Sequence, residues 1–410
     1  MTHSSPDIKI FNLPDGLRLV HRHEATETEY FGAAINAGSR DDPPGLEGLA
    51  HFVEHVLFKG TERRKSWHII NRMESCGGEL NAYTTKETTV VYTIYPSGNF
   101  MRAADLLGDL LCHSVFPEKE LNREREVVGD EISQYRDIPS EAVFDDFEDI
   151  IFKGSGLGHN ILGNRETLTS FDTSTCRRYV KENFTRRRMV LFYAGPLRPE
   201  KVCRAAERFF FDLPEGTTSL ARTPPPPVSP FDSTVNLSNH QANTLTGARI
   251  PSMYSDMRWS FFMLSNIIGG PGMNSLLNVE LRERRGLVYA VDSTTAMLTD
   301  SGLMTIYFGC DHSDTSRCRR LITRVLHRLA DNTMTDRFMN AARRQYLGQL
   351  TLSSDVRDNA VMSMARAVLY YGSVLKHDEV AARIRDISAQ SLRDAAGSFL
   401  DSGLSALTLT

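Results

Sequence analysis

Two histidines and a glutamate carry the strongest chemical signal in the chain. His51, Glu54 and His55 stand in the order His-x-x-Glu-His within "GLEGLAHFVEHVLFKG", residues 45–60. On a helix, residues four apart share a face, so His51 and His55 can aim both imidazoles at one point. Two nitrogen ligands placed that way suit a zinc ion at about 2.0–2.1 Å from each. At about 100° per residue, Leu46, Leu49, Phe52, Val53, Val56 and Leu57 form one apolar arc, and the histidines fall opposite it with Glu54 beside them. A lone histidine there would read as an ordinary surface or core residue. The full pattern is the reverse of the His-Glu-x-x-His arrangement that metal-dependent hydrolases place on a helix, the inverted zincin form. Its carboxylate can take a proton from a metal-held water without binding the metal.

A catalytic zinc takes three protein ligands and keeps one position open. The segment "EKELNREREVVGDEISQYRD", residues 118–137, reads as a helix. Its apolar members Leu121, Val127, Val128, Ile132 and Tyr135 share a stripe that also holds Glu124 and Glu131, while Glu126 and Asp130 fall outside it. Carboxylates are seldom buried without a partner. Two on one stripe need a cation, either core arginines or a metal shared with the histidines.

The elements that must position these residues come in two similar sets. "LPEGTTSLARTPPPPVSPFDS", residues 213–233, holds six of the seventeen prolines. Four in a row favour extended polyproline and block helix. The expected division is a domain over 1–215, a proline-rich linker over 216–232 and a second domain over 233–410. Each half opens with strand-like alternation, "LRLVHRHE" and "YFGAAINAG" against "STVNLSNHQANTLTGARI". Each enters a helix from a glycine-punctuated start, then adds a strand, "TTVVYTIYP" or "SGLMTIYFGC". The expectation is an α+β class with two tandem homologous domains, each a mostly antiparallel sheet packed with helices. The second half lacks His-x-x-Glu-His, so its job differs.

Composition excludes several classes. The 410 residues carry a net charge of −4 with 24% charged residues, an ordinary globular balance that gives no pull toward nucleic acid or an anionic membrane. The basic run "RRYVKENFTRRR" is offset by acidic runs such as "DDFED" and reads as a solvated helix face. No apolar run is long enough to span a membrane. Six scattered cysteines include no Cys-x-x-Cys pair and fit a reducing compartment. With no secretory or transit signal, the expected location is the cytoplasm. "IIGGPGM" lacks the spacing of a phosphate loop and reads as a turn entering a helix.

His51-x-x-Glu54-His55 followed by Glu131 within "EREVVGDEI" resembles the pitrilysin/insulinase family of zinc peptidases. The nearest group is the short branch that includes the mitochondrial processing peptidase and its bacterial relatives. The resemblance implies that zinc is held by His51, His55 and Glu131, that Glu54 is the general base, and that Glu124 supports the site by hydrogen bonding. "GGELNAYTTKETTVVY", residues 77–92, looks like the family's edge strand, where Asn81, Ala82 and Tyr83 would pair with substrate backbone. "MNSLLNVELRERRGLVYAV" looks like the segment that supplies Arg282 and Tyr289 to stabilise the oxyanion. From spacing alone that segment is an ordinary helix with Gly286 as its C-cap. Its entry turn, "GGPGMNSLLN", departs from the Ser- and Arg-bearing turn common in the family.

The resemblance further implies that the two domains form half of a clamshell chamber, completed by a homodimer or by a heterodimer with a related subunit. The function so implied is a zinc-dependent endopeptidase hydrolysing peptides or unfolded segments, with a zinc-held water as nucleophile. The alternative is a non-catalytic or partner-dependent assembly or processing subunit of a peptidase complex. Intact ligands weigh against it.

Overall fold

The computed structural model describes residues 7–218, Leu220 and residues 222–410. Residues 1–6 of the expected first domain, and Ser219 and Ala221 of the expected linker, lie outside the described residues. The chain forms two compact units, one of residues up to Ser133, Asn160–Arg222 and Val356–Val374, the other of Gln134–His159, Thr223–Asp355 and Leu375–Thr410. The boundary falls inside the proline-rich stretch, between Arg222 and Thr223. Unlike the contiguous domains expected, each half of the chain also lends one helical segment to the other unit. Among the described residues no helix is long and apolar enough to cross a membrane.

The first unit is built on β1 (Asp7–Asn12), β2 (Arg18–His23), β3 (Thr28–Ile35), β4 (Glu79–Thr84), β5 (Thr89–Pro96) and β6 (Met189–Gly195). Their order in the sheet is β1-β2-β6-β3-β5-β4. Only β2 and β6 run parallel; the other neighbours are antiparallel. The central strand β3, "TEYFGAAI", is buried on both faces after its first residue. Alternation sends Phe31, Ala33 and Ile35 into the main core and Tyr30 and Ala34 into a smaller cluster on the opposite face. Between them Gly32 must stay small, because a Cβ there would come within 2.3 Å of the Phe192 ring.

The smaller cluster is closed by the helix Arg357–Tyr371, borrowed from late in the chain. Val361, Met364, Ala365, Val368 and Leu369 make its buried stripe at i, i+3, i+4, i+7 and i+8. That stripe covers the sheet face formed by Val20, Tyr30, Ala34, Val190 and Phe192. Asp358 and Arg357 lock its start, accepting from the Tyr30 hydroxyl and pairing with Glu24 respectively.

The second unit carries β7 (Asp232–Val235), β8 (Ala242–Ile250), β9 (Val288–Met297), β10 (Gly302–Cys310) and β11 (Ser405–Leu409), in the order β7-β11-β8-β10-β9. Again only the pair β7 and β11 is parallel. This is the order and direction of the first sheet without β1, so the duplication read from element order extends to strand topology. The stretch read as strand-like, "STVNLSNHQANTLTGARI", holds two strands, β7 and β8, which do not pair with each other. The borrowed helix here is Pro139–Ile151, whose Val143, Phe147 and Ile151 pack against Leu245, Leu303 and Leu407.

Candidate metal centre

The histidine helix is Leu49–Leu57, and its start is fixed by backbone contacts. Gly48 precedes it in the left-handed region at φ 96°. The Gly48 and Ala50 N–H groups donate to the two oxygens of Asp42, each at 2.8 Å, so a carboxylate upstream satisfies donors the helix leaves open. A Cβ on Gly48 would stand 2.6 Å from the Leu162 carbonyl oxygen. One on Gly163 would stand 2.1 Å from that of Glu47, to which the Thr167 hydroxyl donates at 2.7 Å. The segment "NILGNRETL", residues 160–168, is thereby seated on the start of the histidine helix.

The apolar arc of this helix is buried as expected, and the opposite face is covered too, leaving His51 only 8% exposed. The second helix is Glu118–Arg136. Its buried stripe is Leu121, Glu124, Val128 and Ile132, with Glu131 half-buried at its edge. Val127 and Tyr135, expected on that stripe, are 53% and 42% exposed. A helix packed along one side buries a narrower arc than the sequence pattern allows, and these two lie on its flanks.

One ligand atom from each of His51, His55 and Glu131 lies within 4.8 Å of the others. Glu131 Oε2 stands 3.9 Å from His51 Nε2 and 3.5 Å from His55 Nε2. The two rings meet edge to face with centroids 4.5 Å apart. Ligands of one tetrahedral ion at about 2.0–2.2 Å stand a little over 3 Å from each other, so a small contraction about a zinc accommodates this set. Two imidazole nitrogens and a carboxylate oxygen are also the donor types zinc takes. Glu54 is not part of the cluster. Its Oε2 is buried and has no hydrogen-bond partner among the described residues.

The environment separates the two histidines. Burial, with His55 adding to it, pushes the His51 imidazole down to about 3, so its ring is neutral near pH 7. Burial also works against a charge on His55, but the carboxylates Glu124, Glu131 and Glu54 around it outweigh that and push it up. Burial raises the Glu54 carboxyl, with Glu131 adding and Thr84 and His55 opposing. For Glu124, His55 and Lys59 overcome burial and hold the carboxyl low. His55 Nδ1 lies 3.0 Å from Glu124 Oε1, whereas His51 Nδ1 has no hydrogen-bond partner among the described residues.

Asn81, Ala82 and Tyr83 lie on β4, which is the edge of its sheet and, among the described residues, pairs only with β5. Arg282 and Tyr289 belong to the second unit. Arg282 is exposed in a π-helical stretch, Asn278–Glu283, whose C-cap is Arg284 and not Gly286; Gly286 lies two residues further on, in the left-handed region at φ 61°. The Gly286 and Leu287 N–H groups donate to the Arg282 and Leu281 carbonyls at 2.8 and 2.9 Å. Tyr289 is exposed on β9 and its hydroxyl donates to Asp311 at 2.8 Å. Sequence reasoning missed Asp42, which fixes the start of the histidine helix, and Lys59, which pairs with Glu124. The spacing 51, 55, 59 was the available signal for Lys59, since it continues the histidine face by one more turn.

Residues 18–165 match the family model described as insulinase, peptidase family M16, and residues 171–346 match the one described as peptidase M16 inactive domain. An uncharacterized zinc protease of Rickettsia bellii is 30% identical over 89% of this chain and 88% of its own. A probable mitochondrial-processing peptidase subunit beta of Arabidopsis thaliana is 28% identical over 97% of this chain and 77% of its own. A solved protease from Helicobacter pylori shares the fold at a TM-score of 0.92 and 17% identity, covering 99% of this chain and 100% of the other.

Proposed function

The chain belongs to the insulinase family, peptidase family M16, and we propose that it is a zinc-dependent endopeptidase acting on peptides or unfolded segments. The observation that carries the reading is the convergence of His51, His55 and Glu131, with Glu54 beside them and outside the cluster. His51 and His55 would hold the ion through Nε2 and Glu131 through Oε2. When bound, zinc supplies Lewis acidity, acidifying a water and polarising a carbonyl.

This chain's residues supply the rest. Glu54 Oε2 takes the proton of the attacking water, and its burial makes it a better proton holder than an exposed carboxylate. It then returns that proton to the leaving amine. The free edge of β4 pairs the substrate backbone around Asn81, Ala82 and Tyr83, which gives affinity with little dependence on sequence. The test is cleavage of a peptide library by zinc-loaded protein beside Glu54→Gln. The variant keeps its zinc and loses activity by about a hundredfold or more. Zinc-loaded Glu54→Gln at full activity contradicts the mechanism.

A second reading has one observation behind it, the similarity to a protein named as a processing-peptidase subunit. In that reading activity appears only in a complex with a related chain. Turnover by the purified chain alone rules it out.

A further inference from the structure

Resting on the zinc reading above, we propose that Lys59 is a positioning residue for the metal centre, acting through Glu124 on His55. Lys59 Nζ lies 2.7 Å from Glu124 Oε2, while the other oxygen, Oε1, lies 3.0 Å from His55 Nδ1. One carboxylate is therefore held at both oxygens, by a cation on one side and a ligand ring on the other. Its side chain is 9% exposed and that of Lys59 is 26% exposed, so water competes little for either oxygen.

Lys59 is spaced for this task. His51, His55 and Lys59 recur every four residues on one helix face, the last just past the helix end, where its N–H donates to the Val56 carbonyl at 3.1 Å. A carboxylate accepts hydrogen bonds and donates none. Facing Nδ1, Glu124 selects the tautomer with the proton on Nδ1 and leaves the Nε2 lone pair for the metal. A glutamate has three rotatable bonds, and its contact with His55 constrains only one oxygen. Lys59 fixes the other, so the carboxylate plane, and with it the ring of His55, holds one orientation before the metal arrives. A neutral imidazole bound to a cation brings no charge to a buried carboxylate. Lys59 brings a full one, without which the burial of Glu124 would be costly. His51 has no such support, because its Nδ1 is unpaired among the described residues. The orientation of the pair thus depends on the Lys59–Glu124 side.

The experiment is zinc affinity by competition with a chromophoric chelator, on the full chain, for wild type, Lys59→Met, Lys59→Arg, Glu124→Gln and the Lys59→Met/Glu124→Gln double variant. Lys59→Met raises the zinc Kd about tenfold to a hundredfold, the range for outer partners of a metal ligand. Lys59→Arg recovers most of the affinity, and Lys59→Met has little further effect once Glu124 is glutamine. Melting of the metal-free proteins separates positioning from folding. Lys59→Met lowers the melting temperature because it leaves Glu124 buried without its cation, whereas Lys59→Met/Glu124→Gln, with no charge left to bury, melts nearer wild type while its zinc affinity stays low. If that variant does not fold, Lys59→Gln replaces it. Wild-type zinc affinity in Lys59→Met overturns the inference alone. So does a loss of affinity that is additive with Glu124→Gln. A wild type that binds no zinc overturns the metal reading as well.

Discussion

His51 and His55 sit one turn apart with their rings inclined at 64°, yet only His55 has a carboxylate at Nδ1. One imidazole is kept neutral by burial and the other is drawn toward its charged form by three glutamates. The pair therefore responds unequally to protons.

That inequality predicts how zinc affinity depends on pH. A metal needs both rings neutral. His51 already is, down to about pH 3, so the proton that competes belongs to His55. As pH falls below the raised value of His55, that ring protonates and zinc affinity drops. From about pH 6 to 4.5 the histidine pair contributes about a tenfold loss per pH unit, the slope for one proton displaced. Chelator competition at a series of pH values, corrected for the chelator, reads it. A hundredfold per unit would mean both rings are charged in the metal-free protein.

The roles that the family resemblance gives Arg282 and Tyr289 make a separable prediction. Arg282→Ala and Tyr289→Phe lower kcat by roughly tenfold to a thousandfold, as expected for lost oxyanion donors, and leave zinc affinity unchanged. Steady-state kinetics on one cleaved peptide, with metal content in parallel, checks both halves. Unchanged kcat in both variants would return the segment to an ordinary capped helix end.

Gly48 is the point where backbone geometry and the site meet. Gly48→Ala forces a left-handed residue against the Leu162 carbonyl, and costs about 2 kcal/mol or more in stability. Urea unfolding of the metal-free protein measures it. Stability within about 0.5 kcal/mol of wild type would show that the 160–168 segment yields easily.

The borrowed helix Arg357–Tyr371 should matter to the first unit. Val368 is fully buried against that sheet, so Val368→Asp costs about 3–5 kcal/mol. Leu352→Asp, at a residue 71% exposed, changes stability by no more than about 0.5 kcal/mol. Denaturation of the two variants side by side gives the contrast. Equal effects would mean the stripe carries little of the packing.

The residues of the candidate metal centre were legible because their spacing is local. His51 and His55 depend on a four-residue period, and Glu124 and Glu131 showed as carboxylates inside an apolar stripe. The strands β3, β5 and β10 were legible from alternation or continuous apolar runs. Val127 and Tyr135 misled, because apolar character marks a stripe but not how wide a neighbour covers it. The break between β7 and β8 was hidden, since "LSNHQ" separates strands that pair elsewhere. The helix exchange was out of reach for a similar reason. The stripe of Arg357–Tyr371 announces that it will be buried, but the face receiving it is set by strands far upstream, spread from Val20 to Ala194. Lys59 has no role in the sequence reading, and only the distance to Glu124 gives it one.

The most direct measurement is the metal content of the purified chain by elemental analysis, wild type beside His55→Ala. About one zinc per wild-type chain is expected, with none retained by the variant. Wild-type protein that holds no zinc, even after reconstitution, would contradict the zinc reading.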